Sequence, residues 1–151
     1  KRIEAIQFAM AHDDGKKVDD IEDADVILLG VSRTSKTPTS IYLANRGYKT
    51  INIPLVLEQK IPEGLIINKK ACIVGLIADP ERLADIRRNR VAIMNDHKIK
   101  DYTNLDYINK EVNDSKNLFK KNNWPIIDVT RKSVEETAAS ILKIIEIKRN
   151  K

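Results

Sequence analysis

With 151 residues, 42% of them hydrophobic and 32% charged, the chain is long enough for one domain with a real core and too apolar for intrinsic disorder. Its longest apolar run, Ala71 to Ala78, is far short of the roughly 20 residues that span a bilayer, and a lone cysteine, Cys72, excludes a disulfide scaffold or a cysteine-based zinc site. The net charge of +5 comes from interleaved acidic and basic residues, with aromatics at only 5%, so it reads as solvated surface, with some bias toward a phosphorylated ligand or an acidic partner rather than nucleic acid.

The chain opens at Lys1 without an initiator methionine or a signal-peptide pattern and enters a helical period at Ile3, Ile6 and Met10. That beginning reads as a fragment of a longer protein, and the low cysteine content fits the cytoplasm. Val26 to Leu29 is a short apolar run led by Asp25 and ended by Gly30, the pattern of a buried parallel strand. A helix is predicted from about Lys36 to Arg46, with Ile41, Leu43 and Ala44 in its interior and Gly47 at a left-handed C-terminal cap. Tyr48 to Ile53 reads as a second strand stopped by Pro54, and Ala71 to Ala78, apolar throughout, as a third and central one.

Asp79 as N-cap and Pro80 at the first helical position open a helix that runs to about Ile93, with Leu83 and Ile86 facing inward. Met94 to Tyr102 is polar and reads as a surface loop. Leu105, Ile108, Val112 and Phe119 keep a helical period, and Pro125 to Val129 is a fourth strand. Ser133 and Glu136 form a capping box that opens a last helix through Val134, Ala138, Ile141 and Ile145. The whole predicts a single α/β domain over residues 1–151, a layered fold with a mainly parallel sheet flanked by helices. Strand order stays open, and exposed sheet edges are compatible with a homodimer.

Chemistry concentrates in Gly30-Val31-Ser32-Arg33-Thr34-Ser35-Lys36-Thr37. A Walker A loop is Gly, four arbitrary residues, Gly, Lys, Ser/Thr; every fixed position matches except the second glycine, which is Ser35. An apolar strand runs in and a helix runs out, as that loop requires. Gly30 permits a sharp departure from the strand. Backbone N–H groups from Val31 to Lys36 can converge on phosphate oxygens at the helix N-terminus. Lys36 supplies a point charge for the terminal phosphates, Thr37 a hydroxyl ligand for Mg²⁺, and Ser32 and Arg33 can also reach phosphate oxygens. The purely structural alternative is a strand-turn-helix whose Ser and Thr cap the helix and whose Lys36 is solvated.

The run from Gly30 to Ser40, followed by Ile41-Tyr42-Leu43-Ala44 and Gly47, closely resembles the bifunctional regulatory proteins of pyruvate, phosphate dikinase and phosphoenolpyruvate synthase. His12-Asp13-Asp14-Gly15, Gly75-Leu76 through Asp79-Pro80-Glu81-Arg82-Leu83, Ile86-Arg87 with Arg90, Trp124-Pro125, Asp128-Val129-Thr130 and Ser133 to Ala138 extend the likeness along the whole chain. Family members are longer, so the resemblance makes this chain a C-terminal, nucleotide-binding portion with a P-loop-type fold. It implies two reactions. A threonine of the dikinase is phosphorylated with ADP as donor, leaving AMP and an inactive target. Inorganic phosphate then attacks the phosphothreonine, releasing pyrophosphate and restoring the target. Phosphoenolpyruvate synthase is the alternative target, and an ATP-using small-molecule kinase the alternative activity. A nucleotide sensor that transfers nothing is a further alternative, and neither nucleic acid nor membrane is expected as a partner.

Other residues carry two readings each. Asp79 can hold Mg²⁺ through water or act as a general base, and can equally be only an N-cap. Asp13 or Asp14 can serve as base or metal ligand and His12 can transfer a proton; the structural reading is a helix stop with an Asx turn. Among Arg82, Arg87 and Arg90, one arginine can neutralise a transferring phosphoryl group, while two are expected in surface pairs with residues such as Glu81 or Asp85. His97 reads as solvated and Trp124 as core packing.

Overall fold

The computed structural model describes residues 2–11, 24–31, 34–55, 71–94 and 104–149. Its elements are α1 (Arg2–Ala11), β1 (Val26–Gly30), α2 (Lys36–Asn45), β2 (Thr50–Pro54), β3 (Cys72–Ile77), α3 (Pro80–Met94), α4 (Leu105–Lys121), β4 (Ile126–Asp128) and α5 (Val134–Arg149). All strands pair in parallel in the order β2-β1-β3-β4. This is the α/β layered fold that the alternation of apolar runs and helical periods predicts. The apolar β3 is central, as expected, and β1 is its central neighbour.

Alternation along the central strands divides the core. Val26, Leu28, Val74 and Leu76 belong to a cluster with Leu43 of α2 and Ala138, Ile141 and Ile145 of α5. Ile27, Leu29 and Ile73 belong to a second cluster with Ile51 of β2 and Phe119 of α4. Both sheet faces are therefore covered, which is why these strands read as unbroken apolar runs. Phe119 lies so close over Gly75 that a Cβ there would overlap its ring. Gly47 takes a φ of +90° just beyond α2, and its N–H bonds the Ala44 carbonyl at 2.9 Å, the expected helix stop.

Several inward positions shift. Leu105, Ile41 and Ile3 are 37%, 43% and 71% exposed; α1 packs through Ala5 against Ala44 instead. Trp124 is only half-buried, against the Phe119 side of the sheet. The Ser133–Glu136 capping box forms as predicted: the Glu136 N–H donates to Ser133 Oγ at 3.1 Å, and the Ser133 N–H to Glu136 Oε1 at 3.4 Å. Burial pushes the Cys72 thiol up, with Lys148 opposing more weakly, so Cys72 is a protonated core group at neutral pH. No helix among the described residues is long and apolar enough to cross a membrane.

The strand order fixes where a ligand can enter. The chain leaves β1 toward β2 on one side, while β3 leads to β4 on the other. Between the C-terminal ends of β1 and β3 the connections diverge, and a crevice opens there in sheets of this kind.

Candidate phosphate-binding site

Both central strands carry candidate residues just beyond their C-terminal ends. β1 ends at Gly30 and leads through Thr34 and Ser35 into α2 at Lys36; β3 ends at Ile77 and leads to Asp79. Lys36 is only 5% exposed. Its ammonium donates to the Val31 carbonyl at 2.9 Å and to Thr34 Oγ1 at 3.4 Å. The solvated-lysine alternative is thereby overturned: the side chain folds back into the loop. Thr34, fully buried, donates its hydroxyl to the same Val31 carbonyl at 2.9 Å. One carbonyl thus holds both the lysine and the threonine that shape the loop's interior, a charge-assisted arrangement in a poorly solvated place.

The two glycine positions of the motif have exchanged their reasons. Gly30 is not among the residues of positive φ, so backbone freedom does not explain it. Space does: an added Cβ would lie 2.6 Å from Thr34 Oγ1 and 2.9 Å from the Leu76 carbonyl. Ser35, standing where the second glycine is usual, takes the left-handed conformation, φ 61° and ψ 27°, and makes no side-chain cap bond. The left-handed form costs an L-residue about 1–2 kcal/mol, partly offset because glycine loses about 0.5–1 kcal/mol more entropy on folding. Ser35→Gly is therefore expected to raise the thermal midpoint by a few degrees at most. A clear fall would mean that the exposed Ser35 side chain makes a stabilising contact.

Thr37 lies in the first turn of α2, half-buried, where its hydroxyl is one residue beyond the buried ammonium. Asp79 is exposed. It starts α3 through its backbone, since its carbonyl accepts the Leu83 N–H at 3.0 Å, but no hydrogen bond of its carboxylate is seen among the described residues. The carboxylate is thus not spent on a cap. Among the described residues no group of three or more His, Cys, Asp or Glu side chains could hold a metal by itself.

Of the three arginines, Arg82 fits the surface expectation and Arg87 does not. Arg87 is fully buried and donates to Glu111 of α4 at 2.7 Å, tying α3 to α4. Arg82 is exposed, and it is Arg88 that pairs with Asp85 on the surface, at 3.4 Å. Periodicity could not separate these, because Arg87 differs from its neighbours only in facing another helix. Ser32, Arg33, Asp13 with His12 and Asp14, and His97 lie outside the described residues, as does the side chain of Arg90. One polar link was missed. The Thr130 hydroxyl accepts the Asp79 N–H at 2.8 Å and donates to Asp128; the Asp-x-Thr spacing at a strand end was its only signal.

A buried lysine in a strand-to-helix loop, with an exposed aspartate following the neighbouring strand of a parallel sheet, defines an α/β protein whose candidate site suits a phosphorylated ligand. Comparison with known proteins places it more narrowly. A family model described as kinase/pyrophosphorylase matches residues 1–142, and the chain belongs to that family. It is 65% identical over 151 residues to a pyruvate, phosphate dikinase regulatory protein of Pelagibacter ubique, covering 99% of this chain and 55% of that one. Relatives of the same name from Erythrobacter litoralis and Maricaulis maris are 54% identical over 144 residues and 51% over 150, covering 95% and 99% of this chain and 52% and 53% of theirs. The chain spans about half the length of the curated relatives it matches.

Proposed function

We propose that this chain is the nucleotide-binding part of a bifunctional regulator of pyruvate, phosphate dikinase, working through a P-loop. The observation that carries the reading is Lys36, an ammonium buried inside the loop between β1 and α2, where a terminal phosphate would meet the helix N-terminus. The names of the relatives support the dikinase as the protein substrate, and the family's description supports a kinase paired with a pyrophosphate reaction. The resemblance supplies ADP as the donor; the loop itself would take any terminal phosphate.

In the forward reaction a threonine oxygen of the dikinase attacks the β-phosphorus of ADP. The bond to the bridging oxygen breaks, AMP leaves, and the threonine proton passes to a base. Asp79 is the described candidate for that base, and Asp13 the other one drawn from the sequence. In the reverse-acting reaction an oxygen of inorganic phosphate attacks the phosphothreonine phosphorus. The threonine oxygen leaves and takes up a proton from the attacking phosphate, and pyrophosphate is the product. Lys36 neutralises charge on the same phosphate position in both, and Thr37, with Asp79 through water, would hold Mg²⁺ brought in by the nucleotide.

The test uses the full-length parent, ADP labelled at its β-phosphate, and purified dikinase in its histidine-phosphorylated form. Label is expected on a dikinase threonine, with AMP formed in equal amount. Label on phosphoenolpyruvate synthase alone would shift the target. Transfer only from ATP to a small molecule would overturn the reading in favour of a metabolite kinase.

A further inference from the structure

We infer that Thr130 is a positioning residue for the reaction proposed above, holding Asp79 at the mouth of the β1–β3 crevice with Asp128 as its anchor. The inference rests on the reading of Asp79 as the base. Asp79 belongs to no regular element: β3 stops at Ile77 and α3 starts at Pro80. Pro80 keeps the Asp79 backbone extended, and the Asp79 carbonyl is taken by the Leu83 N–H at 3.0 Å, which leaves the N–H side of Asp79 to be set. The neighbouring strand sets that side. The Val129 N–H donates to the Ile77 carbonyl at 2.8 Å, the last rung between β3 and the chain leaving β4. One residue later the Thr130 hydroxyl accepts the Asp79 N–H at 2.8 Å.

A hydroxyl can rotate, and a bond to it orients its partner only when the proton is committed elsewhere. Asp128 commits it. Its Oδ1 accepts both the Thr130 hydroxyl proton and the Thr130 N–H, the latter at 2.9 Å. The lone pairs of the threonine oxygen are thereby turned toward Asp79. Just beyond, the capping box at Ser133 and Glu136 starts α5, which packs on the same core cluster as Leu43 of α2. The turn after β4 is therefore braced at both ends, and the bond from the Asp79 N–H ties the end of β3 to it. A misplacement of about 1 Å at a catalytic group can lower turnover about 100-fold.

The experiment compares Thr130→Val, Thr130→Ser and Asp79→Asn in the full-length parent, measuring kcat and KM for ADP in label transfer, with thermal midpoints alongside. Thr130→Val keeps the shape and removes the hydroxyl. It is expected to lower kcat about 10- to 100-fold with KM for ADP within about twofold, because the loop at Lys36 is untouched. Thr130→Ser keeps the hydroxyl and is expected to restore most of kcat, including where Thr130→Val folds poorly. If Asp79→Asn lowers kcat while Thr130→Val does not, or if Thr130→Ser is as impaired as Thr130→Val, the positioning role is overturned and the base survives. If Asp79→Asn leaves kcat unchanged, the reading of Asp79 falls and the positioning role falls with it.

Discussion

Lys36→Ala is expected to abolish phosphoryl transfer in both directions, by at least about 100-fold, while leaving the fold intact. The loss follows from where the charge is. An exposed lysine opposite a phosphate is screened by water and salt, but Lys36 is 5% exposed and anchored by the Val31 carbonyl and Thr34 hydroxyl. There its charge acts in a poorly solvated site and needs no reorganisation when a phosphate arrives. Stability should move the other way or little. Holding an ammonium out of water is costly, and removing it relieves that cost even as it forfeits hydrogen bonds such as that to the Val31 carbonyl. The thermal midpoint is therefore expected within a few degrees of the parent. Calorimetric titration with ADP, transfer assays in each direction and a melting curve check this together. A variant that lost the kinase reaction and kept the phosphate-dependent one would show that the two reactions do not share one phosphate position.

The same loop shows what was legible in the residues alone. The spacing from Gly30 to Thr37, entered by an apolar strand, located it, and the structure confirms the strand on one side and the helix on the other. The physical reasons at individual positions were not legible. That Gly30 is there for space and that Ser35 bears the left-handed backbone depend on what Thr34 and Leu76 do across the loop, and spacing carries no information about either. Strand order is likewise invisible to periodicity, which reports faces and not neighbours; yet that order makes the strands that lead to Lys36 and to Asp79 immediate neighbours. Arg87 makes the same point, since only its partner Glu111, 24 residues away, distinguishes it from Arg82 and Arg88. Local signals were read most reliably where the stabilising bonds are themselves local, as in the Ser133–Glu136 box and the Gly47 stop.

Gly75 illustrates a contact that sequence could not announce and that carries the largest expected effect on stability. A glycine in the middle of an apolar strand normally weakens it. Here it makes room, because the Phe119 ring of α4 lies over the backbone of β3 where any Cβ would be. The ring is fully buried among Ile27, Leu29, Ile51 and Ile73, so it has no free volume into which to retreat. Gly75→Ala must displace either the ring or the strand. The expected cost is at the upper end of the usual overpacking range, about 3 kcal/mol. It should be read as a lowered midpoint in urea unfolding at unchanged slope. Phe119→Ala, which empties the same place, should cost about 3–5 kcal/mol by cavity formation. The two should not add. In the Phe119→Ala background the alanine at position 75 enters space already vacated, so its penalty should nearly vanish, a coupling of about 2–3 kcal/mol between residues in direct contact. Simple additivity would mean that the strand, not the ring, resists the new methyl group. In that event α4 would not be held against the sheet by this contact, and the seat of β3, which carries Asp79 to the crevice, would depend on the Arg87–Glu111 pair and the bonds to β4 instead.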